Sequence, residues 1–169
     1  MSGVVDEQVT GDEIRILTVR QPWAWAIIHG QKDVENRVRN IAGDYRGPVA
    51  IHAGLAPFEQ NNMASKLHAN MHGGETDTRI VFGAIIGTVD LVDVHTASVI
   101  GGCGWLRHDC PEHGTCREHC STWAMGPAPE GWFQHLVFAN PRPIAPIPFK
   151  GALGLRRIPA SLVAGGSLS

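Results

Sequence analysis

No run of apolar residues in this chain approaches the roughly 20 needed to span a bilayer as a helix, so the sequence predicts no transmembrane segment. The opening residues, MSGVVDEQVTGDE, lack the apolar centre of a secretory leader, and the expectation is a soluble, cytoplasmic protein with no membrane partner. Overall positive charge is lacking too: 14 Lys and Arg against 16 Asp and Glu give a net charge of −2, which excludes a surface that attracts polyanions everywhere. Acids are missing after Glu130, where Arg142, Lys150, Arg156 and Arg157 stand without a counter-charge in the sequence. Cysteine is missing from everything outside residues 103–120. No internal repeat is present.

What is there fits one folded unit. A length of 169 residues, a hydrophobic share of 43% and a charged share of 18% predict a single domain with a proper core. We place that domain at residues 13–159, with a Cys/His-rich insertion at about 96–131 and flexible tails at 1–12 and 160–169. Residues 14–46 carry six basic side chains (15, 20, 32, 37, 39, 46) against three acids, so a local positive surface forms if this segment meets the basic C-terminal stretch.

The chain is organised around IRILTVRQPWAWAIIHGQKDVENRVR, residues 14–39, which reads as strand, short helix, strand. Ile14 to Val19 is β-rich, Pro22 suits a first helical turn, and Trp23 and Ile27 share a helix face that ends at Gly30. From Val34 the alternation is that of a strand, with Glu35 and Arg37 on one side, about 7 Å apart. Lys32 has the opposite parity and joins them only if the turn before the strand, or a bulge, swings it round.

Further along, Pro48–Gly54 predicts a strand with Val49, Ile51 and Ala53 on one face and Ala50 and His52 on the other. Pro57–Met71 predicts a helix, Thr76–Arg79 a turn, and Phe82–His95 the longest strand, with Gly83 and Gly87 allowing a bend or close approach. Asp90 and Asp93 fall on opposite faces of it. Trp132–Ala139 returns as a strand, NPRPIAPIPFK is too rich in proline for a helix, and Ala152–Ile158 closes the fold. The sum is an α+β protein: a small mixed β-barrel of five or six strands with two or three flanking helices.

The segment GGCGWLRHDCPEHGTCREHCSTW holds all four cysteines and three of the nine histidines within eighteen residues. Little apolar material is available to shape such a loop, and a bound ion supplies what a core cannot. Thiolate and imidazole ligands suit zinc, in a structural role. Cys103, Cys110, Cys116 and Cys120 are the first ligand set, with His113 or His119 in place of Cys103 as the alternative; disulfides and unligated thiols remain open.

Several of these motifs together resemble one family. The Pro-Trp-Ala after the first strand, the Gly30-x-Lys32-x-x-Glu35-x-Arg37 run, IHAG at 51–54 and GALGL at 151–155 are similar to the ASCH domain (activating signal cointegrator homology). The resemblance implies a PUA-like β-barrel and a nucleic-acid or nucleotide-binding module for RNA or single-stranded nucleic acid. Trp23, Lys32, Glu35, Arg37 and His52 are the expected ligand-binding residues: an indole stacks on a base, a carboxylate accepts from an exocyclic amine, and cations meet phosphate. Some members resemble small amidohydrolases acting on acetylated cytidine, with a Lys, a Thr three residues later and a distant Glu, and others resemble nucleases. Here Lys32 matches, Glu35 stands at the Thr position, and Asp90 aligns loosely with the acid. If the protein is an enzyme, Lys32 and Glu35 are the catalytic pair. A third alternative is a structural or protein-interaction role, in which Trp23 is core and Glu35–Arg37 merely closes the barrel.

Overall fold

The computed structural model describes residues 11–56, 80–97, 103, 105–107, 116–118, 120–126 and 128–165, with only the backbone described at 105–107 and 116–118. The helix expected at Pro57–Met71, the turn at Thr76–Arg79 and residues 1–10 and 166–169 of the two tails lie outside the described residues.

The first strand, β1 (Glu13–Val19), leads into helix α1 (Trp23–His29) and then β2 (Val34–Arg37), as the sequence predicts. At seven residues α1 is too short to persist alone, and packing holds it. Ala24, Trp25, Ala26, Ile27 and Ile28 are buried, and the Trp25 N–H donates to the side-chain oxygen of Gln21 at 2.9 Å, which caps the first turn. The left-handed residue after α1 is Gln31 (φ 60°) rather than Gly30 (φ −106°). That turn resolves the parity of Lys32, which lies ahead of β2 and is swung onto the side of Glu35 before alternation begins.

Next come β3 (Gly47–Ala53) and the long β4 (Ala84–Thr96). The insertion contributes a small antiparallel ribbon, β5 (Trp105–Arg107) with β6 (Cys116–Glu118), where the sequence shows no strand pattern. Three residues are too few for alternation to be legible. Then β7 (Gln134–Pro148), β8 (Leu155–Pro159) and one helical turn, α2 (Ser161–Ala164), complete the described elements. Six strands form one mixed sheet in the order β2-β7-β4-β3-β1-β8; β1 and β3 are parallel and all other neighbours antiparallel. The four prolines of β7 fall at residues 141–148, past Val137 where its pairing with β2 ends. There β7 has one ladder neighbour, which is the setting that tolerates proline in a strand.

The main core lies between α1 and the sheet, with Leu17, Val19, Ile27, Ile28, Val49, Ile51, Val89, Leu91 and Leu136 among its members. Ile14, Ile16, Ala50, Ile85, Ile144 and Ile158 pack as a second cluster, so the Val49/Ala50 alternation does separate two faces. No backbone ladder joins the two edge strands, yet side chains bring β2 and β1 together. Pairing of β8 with β1 stops at Leu17, and the Thr18 carbonyl just beyond accepts from Arg37 of β2 at 2.8 Å.

Gly87 is where α1 meets the sheet. A Cβ there would lie 2.6 Å from Ile28 Cδ1 and 2.7 Å from the backbone oxygen of Arg142. The isoleucine tip can move, but the carbonyl belongs to the β4–β7 ladder. Gly87→Ala is therefore expected to destabilise by about 1–3 kcal/mol, as overpacking does; an unchanged urea midpoint would refute this packing.

Candidate functional site

Four of the residues singled out in the sequence meet at the mouth between α1 and β2. Lys32 Nζ lies 2.8 Å from Glu35 Oε2, with Lys32 only 4% and Glu35 13% exposed. Nζ also donates to the Val34 carbonyl. Arg37 Nε faces the other carboxylate oxygen at 3.4 Å, an ion pair without hydrogen-bond alignment. One carboxylate thus sits between two cations. Trp23 is half-buried beside them, with Lys32 Nζ 5.9 Å from its ring centre, at the outer limit of a cation–π contact. A pocket of about 230 Å³ opens on another side of Lys32, lined also by Ile27, Gln31, Asp33, Val89, Phe138 and Pro141.

His52 stands behind this group rather than in its wall. It is 1% exposed, its Nδ1 lies 3.3 Å from Thr18 Oγ1 and its Nε2 lies 2.7 Å from the Phe149 carbonyl. The Thr18 hydroxyl accepts from the Ala152 N–H, which leaves its own proton for Nδ1 and makes Nε2–H the donor to Phe149. Gly151 closes over the pair, since a Cβ there would come within 2.9 Å of the imidazole. His52 therefore orients Thr18, the residue that receives Arg37, and both of its nitrogens are used.

Asp90 is likewise engaged elsewhere. Arg142 Nη2 lies 2.6 Å from it and Asn140 donates at 2.9 Å, and these hydrogen bonds hold its carboxyl below the usual range. The two basic segments do meet, for Arg15 of β1 is opposite Arg157 of β8.

A second cluster forms where the insertion joins the sheet. His95 of β4 and His135 of β7 are direct cross-strand partners, with ring centres 5.2 Å apart. Cys103 and Cys120, from the two limbs of the insertion, come back onto them. Cys103 Sγ is 3.3 Å from His95 Nε2 and 3.1 Å from His135 Nδ1; Cys120 Sγ is 3.5 Å from His135 Nδ1; and the two imidazole nitrogens are 3.3 Å apart. All four ligand atoms lie within 4.8 Å of one another. A tetrahedral ion with metal–sulfur bonds of about 2.3 Å and metal–nitrogen bonds of about 2.0–2.1 Å needs edges of about 3.3–3.8 Å, and the four separations above, 3.1–3.5 Å, are close to these.

The outer nitrogens support the same reading. His95 Nδ1 lies 2.7 Å from the Asp93 carboxylate and His135 Nε2 lies 2.6 Å from the Met125 carbonyl. Each acceptor fixes its imidazole with the lone pair turned inward, as in metal-ligating histidines. Without a cation, burial and the neighbouring Cys103 push the Cys120 thiol up to about 12. A bound cation works in the opposite direction and ionises a coordinating thiol.

This grouping shares Cys103 and Cys120 with the set expected from the sequence and adds His95 and His135. Neither described cysteine is in a disulfide. Cys110, His108, His113 and His119 lie outside the described residues, and of Cys116 only the backbone in β6 is described. One sequence signal could have found the two histidines: they end one strand and begin the next, and so flank the insertion on both sides.

Between the two clusters runs the segment 120–126. Ser121 Oγ donates to the Asp33 carboxylate, Asn36 Nδ2 donates to the Trp123 carbonyl at 2.9 Å, and the Met125 N–H donates to Asn36 Oδ1 at 2.8 Å. Trp123, which sequence reasoning did not single out, stands edge-on to Trp23 with ring centres 6.3 Å apart and planes at 83°.

Among the described residues no helix is long and apolar enough to cross a membrane. No curated protein matches the chain in a sequence search. The family model of the ASCH domain matches residues 17–148, a span that runs from β1 to the end of β7 and includes both clusters; the chain belongs to the ASCH domain family.

Proposed function

We propose that this ASCH domain is a binding module for single-stranded nucleic acid, RNA first among them, and that His95, Cys103, Cys120 and His135 hold a structural zinc ion. The observation that carries the first reading is the single cluster of Trp23, Lys32, Glu35 and Arg37, in which an indole, a carboxylate and two cations adjoin. An unstacked base meets the Trp23 face, its exocyclic amine meets Glu35, and phosphates meet Arg37 and the exposed Arg20, Arg39 and Lys150. Hydrolysis is the weaker reading. Lys32 gives its protons to Glu35 and to the Val34 carbonyl, which is the arrangement of a donor rather than a base. The neighbouring hydroxyl, Thr18 Oγ1, is engaged by His52 and Ala152. Zinc is supported by the mixed sulfur and nitrogen donor set and by the close approach of its four ligand atoms. Four protein ligands leave no open position, so the ion would join the insertion to the β4–β7 ladder and do no chemistry.

Fluorescence anisotropy with a labelled oligouridylate tests the binding reading. Four phosphate contacts predict a salt slope of about −2.8, roughly a twentyfold loss of affinity for a threefold rise in salt. Arg39→Ala and Lys150→Ala, both at exposed positions, should each flatten that slope by roughly 0.7. Absence of binding at tens of micromolar protein in low salt would overturn the reading. Release of acetate from acetylated cytidine, abolished by Lys32→Met, would replace it with the hydrolase.

A further inference from the structure

The segment 120–125 is fastened to the His95–Cys103–Cys120–His135 cluster at both ends. It begins at Cys120, one of the four clustered donors, and its far end, the Met125 carbonyl, accepts from the ring of His135, another of them. Between these points it is tied to the strand region that carries Lys32, Glu35 and Arg37, through Ser121 to Asp33 and through Asn36 to both Trp123 and Met125. The Trp123 N–H donates to Ser121 Oγ at 3.1 Å, which tightens the turn around the indole. The outcome is a second half-buried indole set at right angles to Trp23. Among the described residues, the members of both core clusters come from outside this segment.

We propose that Trp123 is the second aromatic wall of the binding cleft and that the metal centre sets its position, so that an unstacked base binds tightly only to the metal-loaded protein. This rests on the single-stranded nucleic-acid reading of the Trp23 cluster. Its physical basis is preorganisation: an indole already held by a turn with two fixed ends loses little freedom when a base arrives. With the ion gone, Cys120 and His135 keep only a long thiol–imidazole contact of 3.5 Å, and the same indole must be ordered to a greater extent at the moment of binding.

Two measurements on the full chain test this. Acrylamide quenching of Trp123, taken as the difference between wild type and Trp123→Phe, should rise at least twofold when zinc is stripped by a chelator. With labelled oligouridylate, metal-loaded Trp123→Ala should bind about tenfold more weakly, the effect of one lost stacking partner, while Trp123→Phe stays within about threefold. Stripping zinc from wild type should weaken binding to a similar degree, and stripping it from Trp123→Ala should weaken it no further. Independent, multiplying effects would overturn the proposal, as would unchanged quenching. If the stripped protein loses its fold, the reciprocal measurement decides. Saturating oligouridylate must then tighten zinc against a competing chelating dye in wild type and fail to do so in Trp123→Ala; equal tightening in both overturns the proposal. Should the loaded wild type not bind oligouridylate at all, the nucleic-acid reading fails and with it the role of Trp123 as a wall. The quenching result still decides whether the metal holds the indole.

Discussion

Replacing Glu35 by alanine is expected to lower stability by about 3–5 kcal/mol, the range for removing one member of a buried ion pair. Lys32 is 4% exposed, so its ammonium has little water to replace the lost carboxylate, and the Val34 carbonyl is a partial substitute. Arg37 loses its counter-charge in the same step, but it is about one-third exposed and keeps its bond to the Thr18 carbonyl. Most of the penalty therefore belongs to Lys32. The double variant Lys32→Met with Glu35→Leu should recover most of the loss, because apolar side chains of similar volume remove the stranded charge together with its partner. Chemical denaturation of the three proteins checks both statements. A loss below about 1 kcal/mol for Glu35→Ala would mean that water reaches Lys32 and that the pair is an ordinary surface bridge.

Removal of the proposed zinc ion is expected to have the second large effect. Zinc at a free concentration about 1,000-fold above its dissociation constant stabilises the folded chain by about 4 kcal/mol, and stripping it should lower the unfolding free energy by that amount. His135→Ala and Cys120→Ala should each abolish stoichiometric zinc, whereas Cys110→Ser and Cys116→Ser should leave one zinc per chain, because the clustered donors are His95, Cys103, Cys120 and His135. Loss of zinc from the Cys110 or Cys116 variants, with retention in His135→Ala, would restore the four-cysteine set instead.

The reasons the sequence displays one cluster and hides much of the other are physical. Glu35 and Arg37 are visible because strand alternation is local: two residues apart means one face. Lys32 breaks that rule, and only the left-handed turn at Gln31, a residue with no special preference for that conformation, brings it back. Cys103 and Cys120 are conspicuous by composition. Their partners are not, because His95 and His135 become neighbours only through the register of the β4–β7 ladder, a long-range pairing with bulges along its length. Trp123 was hidden for the same reason. Its place beside Trp23 depends on Asn36 and Asp33, residues almost ninety positions away. Alternation also located β3 and separated its two faces correctly, but it could not show that His52 would be enclosed, which follows from the close approach of Gly151.

The claim that Trp23 and the Lys32–Glu35–Arg37 group form a cleft for single-stranded nucleic acid is tested most directly at the indoles. The chain has five tryptophans, so a spectrum of the nitrogen-15-labelled, zinc-loaded protein carries five side-chain N–H signals. On titration with oligouridylate, the signals of Trp23 and Trp123, assigned by Trp→Phe substitution, should shift together and saturate, while that of Trp25, buried in α1, stays in place. Saturable binding that leaves both Trp23 and Trp123 unmoved would contradict the account.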